Sequence, residues 1–190
     1  MSTAGGVETE IKLTAPAVVA ARELLESNGF VESAPRLFEA NSVFDTPDLA
    51  LRNRRNLLRL RQVGDRCVLT WKGPEIPGVH KSRPESEVEV SSCQSMEQII
   101  HGLGYQLVFR YEKYRTEFQM AGGDGTATLD ETPVGVYFEL EGQAEWIDQI
   151  AERLGYRSAD YITLSYWALY LEFCKQNLIQ PKHMVFESGG

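Results

Sequence analysis

The chain is 190 residues long, the size of one ordinary domain, and can bury about two-thirds of its unfolded surface without disulfide or metal staples. Its 43% apolar content is globular, no apolar run approaches the roughly 20 residues that cross a bilayer, and Met1 to Gly6 lack the basic start and apolar stretch of a signal peptide. The net charge of −8 argues against a general nucleic-acid binder, which relies on Lys and Arg to neutralise phosphates.

Residues 1–6 read as a loose end, followed by a strand over Glu8–Leu13. Pro16 to Gly29 predicts a helix: Pro16 suits its first turn, Val18, Val19, Ala21, Leu24 and Leu25 recur at helical spacing, and Gly29 closes it. Strands are expected at Phe38–Asp45, Leu57–Val63, Cys67–Lys72 and Arg83–Ser91, punctuated by Thr46-Pro47-Asp48, Gly64-Asp65 and Gly73-Pro74. A helix over Gln94–Leu103 stops before Gly104, and strands follow at Leu107–Glu112, Tyr114–Met120, Thr126–Asp130 and Gly135–Glu141. The last predicted helices are Glu145–Leu154 and the aromatic Thr163–Asn177, which would pack against either the chain's own sheet or a second subunit of a homodimer. Residues 178–190 read as a loose tail. No linker, repeat or low-complexity tract divides residues 7–177. Cys67, Cys93 and Cys174 lie far apart with no CxxC or CxxH spacing for zinc, so a reducing cytoplasm is the expected location. Many antiparallel strands with few helices suggest an α+β, mainly antiparallel β, sheet closed on itself, because closure removes exposed edges.

Residues two apart on a strand share a face. Glu8, Glu10 and Lys12 share one, as do Arg59 and Arg61, then Lys81, Arg83, Glu85, Glu87 and Glu89, then Lys113, Arg115 and Glu117, then Glu139 and Glu141. Like charges about 7 Å apart repel by roughly 2 kcal/mol at an effective dielectric near 20. Opposite charge must offset that repulsion. Ion pairing between facing strands of a purely structural lattice is one solution. A barrel whose lumen holds carboxylate clusters and a basic wall is the better fit. Oxygen-only carboxylate clusters select hard cations such as Mg²⁺ or Mn²⁺, and a Lys/Arg wall selects phosphate oxygens. Phosphoryl and nucleotidyl transfer need positioning and charge neutralisation above all. There is no GxxxxGK[ST] or GxGxxG loop, and His80, His101 and His183 fall in turn, helix and tail contexts that support no triad.

The ExExK run Glu8-Thr9-Glu10-Ile11-Lys12 resembles the start of the CYTH superfamily, which includes CyaB-type class IV adenylate cyclases, thiamine triphosphatases and inorganic triphosphatases. The resemblance continues through Phe44-Asp45-Thr46-Pro47-Asp48, Leu58-Arg59-Leu60-Arg61, Thr70-Trp71-Lys72-Gly73, Arg83-Pro84-Glu85-Ser86-Glu87, Lys113-Tyr114-Arg115, Leu129-Asp130 and Phe138-Glu139-Leu140-Glu141-Gly142, covering roughly Val7 to Leu171. It implies an eight-stranded antiparallel tunnel barrel, helices packed outside, that binds a triphosphate with a divalent metal. On matching positions, Lys12, Arg59, Arg61, Lys72, Lys113 and Arg115 would hold the triphosphate. Arg83 would either join them or, like Glu85, form an ion pair at the rim. Glu8, Glu10, Glu139 and Glu141 would be the main metal carboxylates, with Glu87 and Asp130 as further ligands or as partners orienting the basic groups. Lys72, Glu10 and Glu139 would carry the chemistry.

The resemblance leaves the reaction between two forms. Class IV cyclases convert ATP to cyclic AMP and pyrophosphate, and Ser165-Tyr166 resembles the carboxy-terminal Ser-Tyr segment of CyaB proteins. Inorganic, thiamine or nucleoside triphosphatases release phosphate, and several of them carry a tyrosine just before Asp-Thr-Pro; Val43 and Phe44 stand there in this chain and lack its hydroxyl. The cyclase is the preferred expectation. A non-catalytic polyphosphate or nucleotide-binding protein is the further alternative, and neither nucleic acid nor membrane is an expected partner.

Overall fold

The computed structural model describes residues 6–187. Eight antiparallel strands close into a barrel in the order β1 (Gly6–Thr14), β5 (Lys81–Val90), β4 (Arg66–Lys72), β3 (Leu57–Val63), β2 (Val31–Asp45), β6 (Gln106–Gln119), β7 (Thr126–Thr132) and β8 (Gly135–Glu141). Five helices pack outside: α1 (Val18–Ser27), α2 (Ala50–Asn53), α3 (Cys93–Gly102), α4 (Ala144–Arg153) and α5 (Tyr166–Gln176). The expected α+β architecture is therefore present. β1 makes the closure: Glu10 lies opposite Lys81 on one neighbour and Glu141 on the other.

Apolar residues lie on the barrel's outer face, where helices cover them. Ile11, Leu13, Leu129, Phe138 and Leu140 point outward against Leu25 of α1 and Ile147 and Ile150 of α4, and all are buried. Phe44 and Leu60, also outward, meet Ile100 of α3. Phe109 and Tyr137 have instead the parity of Lys113 and Glu139, and meet Tyr166, Tyr170 and Cys174 of α5. Alpha5 thus buries its aromatic face on its own barrel. This outward core leaves the opposite parity of each strand to line the lumen. At one corner the packing needs glycine: a Cβ on Gly125 would come within 2.5 Å of the Trp146 ring.

Besides β2, which starts at Val31 rather than Phe38, four features differ from the sequence reading. β6 runs unbroken where two strands met at Lys113, because this long strand pairs with β2 on one edge and β7 on the other. The short α2 follows the Thr46-Pro47-Asp48 turn, its amides held by the Asp45 carboxylate, which accepts from Leu51 at 2.8 Å and Arg52 at 2.9 Å. Cys67 of β4 and Cys93 of α3, distant in sequence, are disulfide-bonded because Cys67 lies opposite Val90 at the end of β5, three residues before Cys93 opens α3; Cys174 alone remains a thiol. The segment after Leu178, expected as loose, docks along β6 as far as it is described: the Met184 amide donates to Arg110 O, the Glu112 amide to Met184 O, and Met184 is 1% exposed. The remainder of the expected loose ends, residues 1–5 and 188–190, lies outside the described residues.

Candidate functional site

The tunnel lumen encloses about 440 Å³ and is walled by charge. β1 contributes Glu8, Glu10 and Lys12; β3 Arg59 and Arg61; β4 Lys72; β5 Lys81, Arg83, Glu85 and Glu87; β6 Tyr111, Lys113, Arg115 and Glu117; β8 Glu139 and Glu141. The alternation that sends Ile11, Leu13, Phe138 and Leu140 outward is what turns Glu10, Lys12, Glu139 and Glu141 inward.

Each of these cations except Arg83 pairs with a carboxylate. Lys12 Nζ lies 3.0 Å from Glu139 and 3.4 Å from Glu10, and Glu10 also pairs with Lys81. Lys72 bridges Glu8 and Glu85, the latter at 2.8 Å. Arg59 and Arg61 share Glu87, at 3.3 and 3.4 Å, and Thr70 Oγ1 donates to the same carboxylate at 2.6 Å. Asp130, completely buried, accepts from Lys113 at 2.8 Å, from Arg115 at 2.7 and 2.6 Å, and from the Tyr166 hydroxyl at 2.6 Å; Arg115 also pairs with Glu139. With its oxygens so occupied, Asp130 organises basic groups. Glu87 does the same on the opposite wall.

These pairings set protonation. Burial would raise the Glu10 and Glu139 carboxyls, but Lys12 together with Lys81 or Arg115 more than offsets it and holds both well below the usual range. Glu39 likewise falls to about 2 against its burial, through Lys113, Arg115 and Arg61. Two carboxyls go the other way. Burial, then a hydrogen bond shared with Glu8, pushes Glu85 up to about 8. Glu141 stands at the open mouth, still in contact with water, and crowding by protein atoms followed by repulsion from Glu8 and Glu10 lifts it to about 7. Burial beside Lys12 lowers the Lys81 ammonium.

Glu8, Glu10 and Glu139 all act on Glu141, so the four carboxyls share one region of the lumen. An oxygen-only donor set of this kind fits a hard dication such as Mg²⁺ or Mn²⁺. Among the described residues no three such groups converge on one point. Lys12, Lys72 and Lys81 hold them apart, so ligation requires those lysines to exchange partners.

Arg83 stands apart from the other expected phosphate holders. Its guanidinium donates to the carbonyls of Gly73 at 2.9 Å, Arg55 at 3.2 Å and Lys72 at 3.3 Å, tying two loops together rather than facing a carboxylate. Conversely, the lumen includes residues the candidate set omits. Lys81 continues the parity of Arg83 and Glu85. Tyr111 shares the face of Lys113 and Arg115, and its hydroxyl accepts from Arg59 Nη1 at 3.2 Å. Glu39 and Asn41 face inward from β2, both buried. Among the described residues both amide atoms of Asn41 and the Nε of Arg59 and of Arg61 have no hydrogen-bond partner, which leaves unspent polar capacity along this wall.

A second cavity, of about 660 Å³, adjoins the tunnel where α5 packs. Its walls include Val43, Leu49, Leu107, Phe109 and Trp167, with Arg52, Arg55, Glu75 and Gln106 as polar members. Leu57, Arg83, Tyr111, Ser165 and Tyr166 line both spaces.

Comparison with known proteins agrees with this architecture. Residues 6–166 match the model of the CYTH domain family. A Methanocaldococcus jannaschii protein named "putative adenylate cyclase" is 29% identical over 136 residues, 71% of this chain and 76% of the relative. A Vibrio parahaemolyticus structure of the same description superposes with a TM-score of 0.75 at 20% identity, covering 87% of this chain and 98% of the other. A Hippeastrum structure, of a "putative adenylyl cyclase" described as having a dominant triphosphatase activity, gives 0.64 at 20% identity, covering 87% and 95%. The chain belongs to the CYTH family.

Proposed function

We propose that the chain is a divalent-metal-dependent enzyme that converts ATP to cyclic AMP and pyrophosphate. The observation that carries the nucleotide is the second cavity. An inorganic triphosphate would fill the charged tunnel and leave about 660 Å³ of partly aromatic space unused, whereas a nucleoside triphosphate has an organic part of suitable character for it. In this reading Lys12, Arg59, Arg61, Lys72, Lys113 and Arg115 hold phosphate oxygens, with Lys81 added to the set. CYTH proteins are metal-dependent in general; here Glu8, Glu10, Glu139 and Glu141 would hold Mg²⁺ or Mn²⁺, which supplies charge neutralisation and lowers the pKa of the attacking hydroxyl. Glu87 and Asp130 keep the arginines and Lys113 aimed into the tunnel. Lys72, between Glu8 and Glu85, stabilises charge on the phosphates during transfer. Once these lysines have exchanged their carboxylates for phosphate oxygens, the barrel wall holds them in place, which is where preorganised electrostatics accelerates a reaction. Among the described residues no helix is long and apolar enough to cross a membrane; a cytoplasmic location, which would supply ATP, requires the Cys67–Cys93 bridge to persist in a reducing compartment.

Hydrolysis is the second reading, favoured by the triphosphatase activity described for the Hippeastrum relative. Incubation with ATP, and separately with inorganic triphosphate, under Mg²⁺ or Mn²⁺ separates the two. Cyclic AMP with equimolar pyrophosphate is the expected outcome. Orthophosphate without cyclic nucleotide would replace the cyclase by a triphosphatase, and ligand binding with no product under either metal would make the chain a binding protein.

A further inference from the structure

Five residues form the junction of the two cavities, and their polar atoms are unequally committed. Leu57 has no polar side-chain atom. The Arg83 guanidinium is spent on three backbone carbonyls. Ser165 Oγ accepts the Ala168 amide at 3.3 Å as the cap of α5, and the Tyr166 hydroxyl gives its proton to Asp130. Tyr111 differs. Its hydroxyl accepts from Arg59, and among the described residues its own proton meets no protein acceptor. Its ring is fixed by Phe109 and Tyr166, with centroids 5.7 and 5.8 Å away. A rigid phenol beside a phosphate-holding arginine, with an uncommitted proton at the mouth of an apolar cavity, faces the point where a triphosphate meets its organic part.

We propose that Tyr111 is the specificity-determining residue of this junction, its hydroxyl donating to a ribose oxygen and so selecting a nucleoside triphosphate over inorganic triphosphate. The inference rests on the ATP reading above. Arg59 fixes the phenol oxygen by donating to it, which leaves the phenol proton directed elsewhere. An apolar pocket alone discriminates weakly, whereas a group that hydrogen-bonds the ligand penalises any ligand lacking the partner atom. Inorganic triphosphate has no ribose, so it gains nothing from this contact.

The test compares wild type with Tyr111→Phe, which keeps the stacked ring. The readouts are kcat/KM for ATP and the inhibition constant of inorganic triphosphate as a competitor of ATP turnover. The expected result is that ATP kcat/KM falls about tenfold relative to any change in the inhibition constant, as for loss of one hydrogen bond to substrate. Parallel weakening for both ligands would overturn the inference, since Tyr111 would then act only by positioning Arg59. An ATP kcat/KM within twofold of wild type would also overturn it. A wild-type protein with no turnover of ATP would overturn the functional reading itself, and this inference with it.

Discussion

Glu10 shows what a single charge costs and does in this lumen. It is buried to 9% exposure and remains ionised because Lys12 and Lys81 face it. Removing one partner of a buried pair usually costs more than the pair contributes, because the other charge stays behind unpaired. Glu10→Gln preserves shape but leaves Lys81 without its carboxylate. The variant should lose on the order of 3 kcal/mol of stability yet fold at 25 °C, with turnover down about 100-fold or more. Circular dichroism melts with product chromatography would check this; near wild-type kcat would remove Glu10 from the site. Glu85 and Glu141 make an opposite prediction. With folded values of about 8 and about 7 against an ordinary 4.5, they keep protons that the unfolded chain has released. Folding therefore takes up protons between about pH 4.5 and 8, and stability falls as pH rises through that window. Glu10, Glu39 and Glu139 act in reverse, since their depressed values contribute stability that is lost only as pH drops below the ordinary carboxylate range. The ligand-free protein should melt highest near pH 5 and lower toward pH 8, with Glu85→Gln flattening that decline. A melting temperature that rises from pH 5 to pH 8 would contradict both assignments.

At the scale of elements, most strands and the charged lumen were legible because parity is strict: Glu8, Glu10 and Lys12, or Arg59 and Arg61, share a face whatever the barrel around them. β2 hid its contribution. Glu39 and Asn41 lie in its regular stretch between register shifts, but Glu39, Asn41 and Val43 alternate with Phe38, Ala40 and Ser42, which gives too little contrast of charge to mark an inward face. Lys81, though read on the face of Arg83 and Glu85, fell just before the strand expected from Arg83, and Lys113 fell between two expected strands that are one. The cavity pairing is not a sequence property. It arises where the ends of β2, β3 and β6 meet α2 and α5, and no local pattern encodes that meeting. Its least obvious support is Asp45, 3% exposed, whose carboxylate carries the amides of Thr46, Leu51 and Arg52 and so holds α2 beside Trp167, with the Arg52 guanidinium 5.6 Å from that ring. Asp45→Ala should cost about 2–4 kcal/mol, given several buried charge-assisted bonds at a helix start, and should raise KM for ATP more than it weakens inorganic triphosphate. Denaturant melts and paired kinetics would show it; an unchanged KM with the expected stability loss would detach α2 from nucleotide binding.

Across the whole molecule, the lumen is electrostatically near balance. Eight basic side chains line it, against seven glutamates on its walls plus the buried carboxylates of Glu39 and Asp130. Proton retention by Glu85 and Glu141 brings the sum closer still to neutral at pH 7. A triphosphate carries about four negative charges, so its entry alone would place it among carboxylates whose cations are already taken. Desolvating such an anion in a narrow lumen without added positive charge is costly. Two dications would restore the balance, and would do so at the mouth where Glu8, Glu10, Glu139 and Glu141 repel one another. Triphosphate binding should therefore be strongly metal-dependent and accompanied by proton release from Glu141. With Mg²⁺ present, inorganic triphosphate at about 100 times its Kd should add about 2.7 kcal/mol of stability, a melting shift of several degrees. With EDTA the shift should vanish, and calorimetry in buffers of different ionisation enthalpy should register protons only in the metal-loaded titration. A purely structural ion-pair lattice would show no shift under either condition. An equal shift with EDTA would mean that the lysines and arginines release their carboxylates to the phosphate unaided, and that the acidic mouth serves some purpose other than holding metal.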